Sequence, residues 1–327
     1  MTSKQKRWIK WGVIAVSLAF AARATWRFPW TATRMALLDA SPAILMTALL
    51  VNLLSLVAKG WAWHLLLRPV APNRWISAQK ANMIGATVNN VSVSLAGEAA
   101  RVHMIGRTDG VPLHAAVASV VWARTVEAIG LALFLLVAPS LLHLPPVLRD
   151  AQIVAVTALA ALLAVLCLKR GWRLPRWLPH PARSALIVLG EIGSPRRLVF
   201  PVLLAIVNWG VEWATFHLVL MATCAKLSLG ASFMALCATN LGGILRLTPA
   251  NIGIFQVSMV LGLLPFGVPS EAAMAAGLAL QAIQVLPVLA IGLALAGWSG
   301  LRQMRVDTVR AADANHLDGD DRRAASR

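Results

Sequence analysis

This chain reads as an all-α polytopic membrane protein with about six full transmembrane helices and two broken or re-entrant helical hairpins. Three observations lead there. Of its 327 residues, 58% are hydrophobic and only 13% are charged, whereas a soluble domain carries about a quarter charged residues. The mean hydropathy is +0.71. The apolar runs lack the alternation of a membrane barrel, and backbone groups in lipid must pair internally, so the runs are helices.

The basic stretch at 4–10 precedes a short apolar run at 11–22. It resembles a secretory signal, but the chain continues as a multi-span protein and Arg23 and Arg27 can snorkel from its far end, so an uncleaved first span is expected. Span two covers 41–67. Residues 75–107 are polar for a membrane protein and break around Asn89, Asn90, Ser92 and Ser94. Span three follows at 113–138, and Pro139, Pro145 and Pro146 mark the loop after it. Span four is 151–168. In the next loop Lys169, Arg170, Arg173, Arg176, Arg183, Arg196 and Arg197 are opposed only by Glu191, which places it in the cytoplasm. Span five covers 198–223, residues 228–264 form a second broken pair, and the last span runs 270–298. A mixed-charge tail from 301 to 327 reads as disordered and cytoplasmic.

The second break is the most informative stretch. Arg246, Thr248, Pro249, Ala250 and Asn251 interrupt an apolar run, and the fourteen residues from Asn251 to Leu264 reach roughly 21 Å as a helix. A bilayer core is about 30 Å thick. Such half-helices are where membrane transporters place ligand sites, because free N–H groups and the positive dipole end face the cavity. With both termini cytoplasmic, the hairpin at 75–107 enters from the cytoplasmic side and the one at 228–264 from the other. Each half of the membrane domain 1–300 (1–150 and 151–300) then supplies spans plus one hairpin in opposite orientation, as in an inverted-topology repeat.

The net charge of +17 does not indicate nucleic acid, because the basic residues sit in loops beside apolar spans. Cys167, Cys224 and Cys237 lie within apolar runs without pairing or metal-ligand spacing and read as core residues. Thirteen Trp and no Tyr are present. Trp8, Trp11, Trp26, Trp30, Trp75, Trp172, Trp177 and Trp298 fall near the ends of apolar runs, where interfacial indoles belong.

Ionisable groups at membrane depth mark candidate chemistry. Gly97 allows close backbone approach, Glu98 stands in a helix first turn, and Arg101 follows at i+3. They read equally as a capping carboxylate with a local arginine. Arg124 and Glu127, again at i+3, lie mid-span and must face protein or water. Either a packing ion pair or a cavity lining satisfies that. Glu212 has no local cation, and Arg246 is its long-range candidate. Gln256, Gln281 and Gln284 suit interhelical hydrogen bonding. Three arginines (Arg101, Arg124, Arg246) near two breaks with few acids point to an anionic guest such as a phosphate headgroup.

In this order and spacing the residues resemble the lysylphosphatidylglycerol synthase transmembrane-region family, also called flippase-like integral membrane proteins. The matching positions are Asn90, Gly97 and Glu98 with Arg101, Arg124 with Glu127, Glu212, and Pro249, Asn251, Gly253 and Gln256. The stretch from Phe266 to Pro269, with Gln281 through Pro287, is similar to members linked to hopanoid or polyprenyl lipids. Val93 and Ser94 stand where the family has Pro-Gly, Ala250 replaces its usual Gly, and Gln256 replaces its closing Glu, so no titratable group stands there. The resemblance implies a lipid-handling protein of a bacterial-type plasma membrane, with no cofactor. Under thirty residues follow Trp298, so the soluble aminoacyl-transferase half of some members is not expected.

The functional expectation is a translocator of an anionic phospholipid or polyprenyl-linked lipid, with Glu98, Arg101, Arg124, Glu127 and Arg246 lining the headgroup path. No Walker motif is present, so a gradient or downhill flow would drive it. The sequence also admits a membrane transferase on a polyprenyl-linked substrate, with Glu98, Glu127 or Glu212 as base, although no catalytic constellation stands out. A non-transporting scaffold for lipid-synthesis enzymes is the third reading.

Overall fold

The computed structural model describes residues 30–92, 96–141, 150, 153, 154, 157, 187–224, 227–243 and 248–324. Its helices are α1 (Trp30–Leu38), α2 (Pro42–Leu67), α3 (Trp75–Val91), α4 (Ala96–Asp109), α5 (Leu113–Leu141), α6 (Pro195–Cys224), α7 (Leu229–Gly243), α8 (Ile254–Leu263) and α9 (Ser270–Ala324). Short 3-10 turns occupy Pro249–Asn251 and Leu264–Phe266. Four helices are long and apolar enough to cross a membrane: Pro42–Leu67, Leu113–Leu136, Arg196–Cys224 and Ser270–Gly297. They coincide with expected spans two, three, five and last, so this is a multi-pass membrane protein. The expected first span, 11–22, lies outside the described residues, and the one at 151–168 is described at three positions only, all helical.

Local chemistry sets the boundaries. Pro42 opens α2 at a position where its missing N–H costs nothing. Gly110, at φ 68°, ends α4, its N–H returning to the Gly106 carbonyl. Asp109 then accepts the Arg74 N–H at 2.7 Å, tying the end of α4 to the start of α3. The helix α9 continues past Trp298 through the polar stretch read as an unstructured tail. Leu, Arg, Gln, Met and Ala there favour helix and no proline interrupts it.

The order is span, hairpin, span, given twice: α2, α3–α4, α5, then α6, α7–α8, α9. Between the corresponding spans α2 and α6 the packing is extensive. They run antiparallel: the Ser41 N–H meets the Ala222 carbonyl at one end, and Ser55 Oγ donates to Asn208 Oδ1 at 2.7 Å in the middle. Each hairpin leans on the other half. Thr87 of α3 donates to the Val288 carbonyl of α9 at 2.9 Å, and Phe233 of α7 packs on Phe134 of α5 with ring centroids 5.6 Å apart. Small residues permit the close crossings. A Cβ at Gly97 would collide with the Gly85 carbonyl and the Asn89 side chain, and one at Gly292 would collide with Thr87.

Most of the large exposed side chains are apolar, among them Leu50, Leu54, Val207, Leu261 and Leu293, as lipid-facing positions require. Two apolar cores hold the interior. One gathers Trp63, Leu66, Ile105, Trp122 and Ile192; the other gathers Phe216, Leu220, Leu236, Met259 and Leu280.

Pro287 lies inside α9 and has no N–H, so the Ile283 carbonyl loses its helical donor. Asn52 of α2, 4% exposed, replaces it by donating Nδ2 to that carbonyl at 3.0 Å. Asn52→Leu should therefore destabilise the protein in detergent by about 1–3 kcal/mol, the cost of an unsatisfied buried group. In a Pro287→Ala background the same change should cost clearly less. Equal costs in thermal unfolding would show that the Ile283 carbonyl is not what Asn52 serves.

Candidate functional site

The two helix breaks wall one cavity. It has a volume of about 630 Å³ and is bounded by α2, α3, α6, α7, α8, α9 and the turn after α7. Asn90 and Ser92 reach it from the first break and Ala250 and Asn251 from the second; Lys59, Glu212, Gln281 and Gln284 also contribute wall. Helix α3 packs directly on the Pro249–Asn251 turn, so the breaks approach each other.

At the first break, Gly97 donates its N–H to Asn89 Oδ1 at 3.0 Å. This satisfies a donor in the first turn of α4 that has no helical partner. Asn89 therefore caps the helix, and it lines the cavity beside Asn90, the residue singled out from the sequence. At the second break the backbone enters the left-handed region at Ala250 (φ 50°), Asn251 (φ 55°) and Gly253 (φ 89°). Gly253 N–H donates to Gln256 Oε1 at 2.7 Å, so Gln256 caps its own helix. The Gln256 amide also donates to Gln281, which donates to the Ala250 carbonyl at 2.6 Å. Asn251 Nδ2 reaches back to the Gly243 carbonyl at the end of α7, at 3.4 Å.

The charges form two groups. Glu212 is paired with Lys59, Nζ to Oε1 at 2.5 Å, across α2 and α6. Asn208 backs the same carboxylate at 3.4 Å. The sequence pointed to Arg246 for Glu212, and Arg246 lies outside the described residues. Lys59 was missed, although a lone lysine within an apolar span is itself a signal that it faces protein or water.

The second group binds hairpin to span. Arg124 of α5 bridges Glu98 of α4 and Glu127 of its own helix, the latter at 2.8 Å. Arg101 lies 3.7 Å from Glu98, donates to Asn82 at 3.2 Å, and stacks over Trp63 at 4.1 Å from the ring centroid. It is only 6% exposed. A separate small cavity of about 20 Å³ touches Lys59, Asn82, Arg101, Glu127 and Asn208, linking the two groups. The acids are thus enough to pair with Lys59, Arg101 and Arg124 among the described residues. Glu98, Gly97, Arg101, Arg124, Glu127, Gly253 and Gln256 do not line the large cavity; of the site residues expected from sequence, Asn90, Glu212 and Asn251 do.

The Pro249–Asn251 turn explains one departure from the family pattern noted above. Ala250 adopts a conformation that glycine takes freely and that costs other L-residues roughly 1–2 kcal/mol. Ala250→Gly should raise stability by about 1 kcal/mol, less than the full strain because glycine is freer when unfolded. Arg124→Gln should lower stability, and adding Glu98→Gln should recover part of the loss, because the half-buried carboxylate then no longer needs a cation. Additive losses in thermal unfolding would contradict the bridge.

No curated protein matches this chain. The lysylphosphatidylglycerol synthase TM region family matches residues 8–292, a range that takes in both breaks, both charge groups and every wall of the cavity. The chain belongs to that family.

Proposed function

We propose that this protein is a lipid translocator that passes the headgroup of a phospholipid or polyprenyl-linked lipid between leaflets through the cavity between its two breaks. One observation carries the reading: a cavity of about 630 Å³, walled by asparagines, glutamines and a Lys–Glu pair, lies among helices whose other faces are apolar. Lipid has no use for such a wall, whereas a headgroup crossing the membrane needs one. Its volume falls within the roughly 300–1,000 Å³ range of small-molecule sites.

Lys59 is the cation on that wall among the described residues. A lipid phosphate entering the cavity would compete with Glu212 for its ammonium, exchanging one charge-assisted bond for another. The Glu98–Arg101–Arg124–Glu127 group is a positioning device that holds the first hairpin against α5, not a headgroup contact. The antiparallel run of α2 and α6 supports an inverted repeat whose halves rock about the cavity. In this reading the protein sits in a bacterial-type inner membrane with both termini in the cytoplasm, and it moves lipid without transforming it.

The full chain in vesicles, with a fluorescent phospholipid in one leaflet, tests this. Wild type should move lipid well above empty vesicles, and Lys59→Met should slow it by about tenfold, the worth of one charged hydrogen bond. A wild-type rate equal to that of empty vesicles would favour the scaffold of a lipid-synthesis complex instead.

A further inference from the structure

We infer that the small cavity between the two charge groups is a hydration site, where bound water accepts hydrogen bonds from the Arg101 guanidinium. This holds whether or not the chain moves lipid.

A guanidinium carries five N–H donors and no acceptor. At Arg101 the Nη1 end is in use: it donates to Asn82 Oδ1 at 3.2 Å and lies 3.7 Å from Glu98. Nε and Nη2 are buried and have no hydrogen-bond partner among the described residues. Trp63 covers one face of the guanidinium, and its ring offers no oxygen to those N–H groups. With only 6% of the residue exposed, bulk solvent does not serve them. Charged donors left unmet in a membrane interior are costly, so they imply an acceptor that the neighbouring side chains do not supply.

The small cavity lies against this side chain. Its volume of about 20 Å³ exceeds the roughly 10–15 Å³ that one water needs. Lys59, Asn82, Glu127 and Asn208 touch it as well, which gives a water the several polar partners that hold it in place.

Water suits the site better than an ion. The charged side chains around it already stand beside opposite charges: Lys59 at Glu212, Arg101 at Glu98, and Glu127 at Arg124. Arg101 thus lacks acceptors, not a counter-charge. A halide would bury one more ion beside the Glu127 carboxylate, whereas water accepts from Arg101 and turns its own hydrogens elsewhere. Asn208 backs Glu212 and Asn82 accepts from Arg101, so water between them completes a polar path from the large cavity's wall to the first hairpin.

X-ray radiolysis of the full chain in nanodiscs makes hydroxyl radicals from bound water in place, and these oxidise the side chains that the water touches. Trp63 and Leu66 touch the small cavity although each is 1% exposed. Met259 and Phe233 are as deeply buried and touch neither cavity. Trp63 and Leu66 should therefore be oxidised severalfold faster than Met259 and Phe233. Ala62 also touches the small cavity, and Ala62→Val narrows it. In that variant oxidation of Trp63 should fall to the Met259 level, while Phe255 on the large cavity keeps its rate. Trp63 as inert as Met259 in the wild type would show a dry cavity and overturn the inference. Oxidation of Trp63 that Ala62→Val leaves unchanged would overturn it too, because the water would then lie elsewhere. Melting in chloride and in gluconate at equal ionic strength separates water from a halide. Equal Tm in the two salts supports water. A Tm that rises with chloride in the wild type but not in Ala62→Val would assign the site to a halide and overturn the inference.

Discussion

A helix that breaks inside a membrane leaves backbone groups that lipid cannot satisfy, and each must find a partner within the protein. Several polar side chains in this interior answer that demand. Asn89 accepts from Gly97, Gln256 accepts from Gly253, Gln281 donates to Ala250, and Asn52 donates to Ile283 beside Pro287. Thr87 adds a bond to the Val288 carbonyl on the same helix. Two of these bonds join separate elements and act as joints: α2 and α3 are both pinned to α9. The cavity forms where the joints gather, and its polar wall is partly a by-product of repairing the backbone.

The charges follow the same logic at greater cost. An ion within the membrane must be paired or watered. Lys59 and Glu212 pair across the antiparallel spans, and Arg124 joins α4 to α5 through two carboxylates. The bridge uses the planar fork of arginine, which reaches two acceptors at once where a lysine would offer a single point of charge. Arg101 stacks on Trp63 and bonds Asn82, so the inner face of the first hairpin is held by three kinds of contact. One charge pair thus sits on the cavity wall, and the other group joins the first hairpin to α5.

Much of the fold was legible in the sequence because membrane spans announce themselves by length and apolarity. The expected span at 113–138 is α5, and the pairs at 75–107 and 228–264 appear as α3–α4 and α7–α8. The site was harder to read. Local spacing found the i+3 pairs Glu98–Arg101 and Arg124–Glu127, since those contacts lie within one helix. It could not find Lys59–Glu212 or Arg124–Glu98, which depend on how distant helices pack. Adjacent asparagines in one helix point about 100° apart, so which of Asn89 and Asn90, both on the cavity wall, also caps α4 is decided by the hairpin's rotation. Of the three arginines that looked short of acids, Arg101 and Arg124 share Glu98, and Arg246 lies outside the described residues.

The most direct test of the account is a cross-link across the cavity. Cysteines would replace Asn90 and Asn240 in a chain lacking Cys167, Cys224 and Cys237, and a short, cleavable bifunctional thiol reagent would be applied in membranes. The account predicts that the link forms, that lipid movement stops, and that reductive cleavage restores it. A link that forms while lipid movement continues unchanged would show that lipid takes another route, and failure to link would show that the two breaks do not share a cavity.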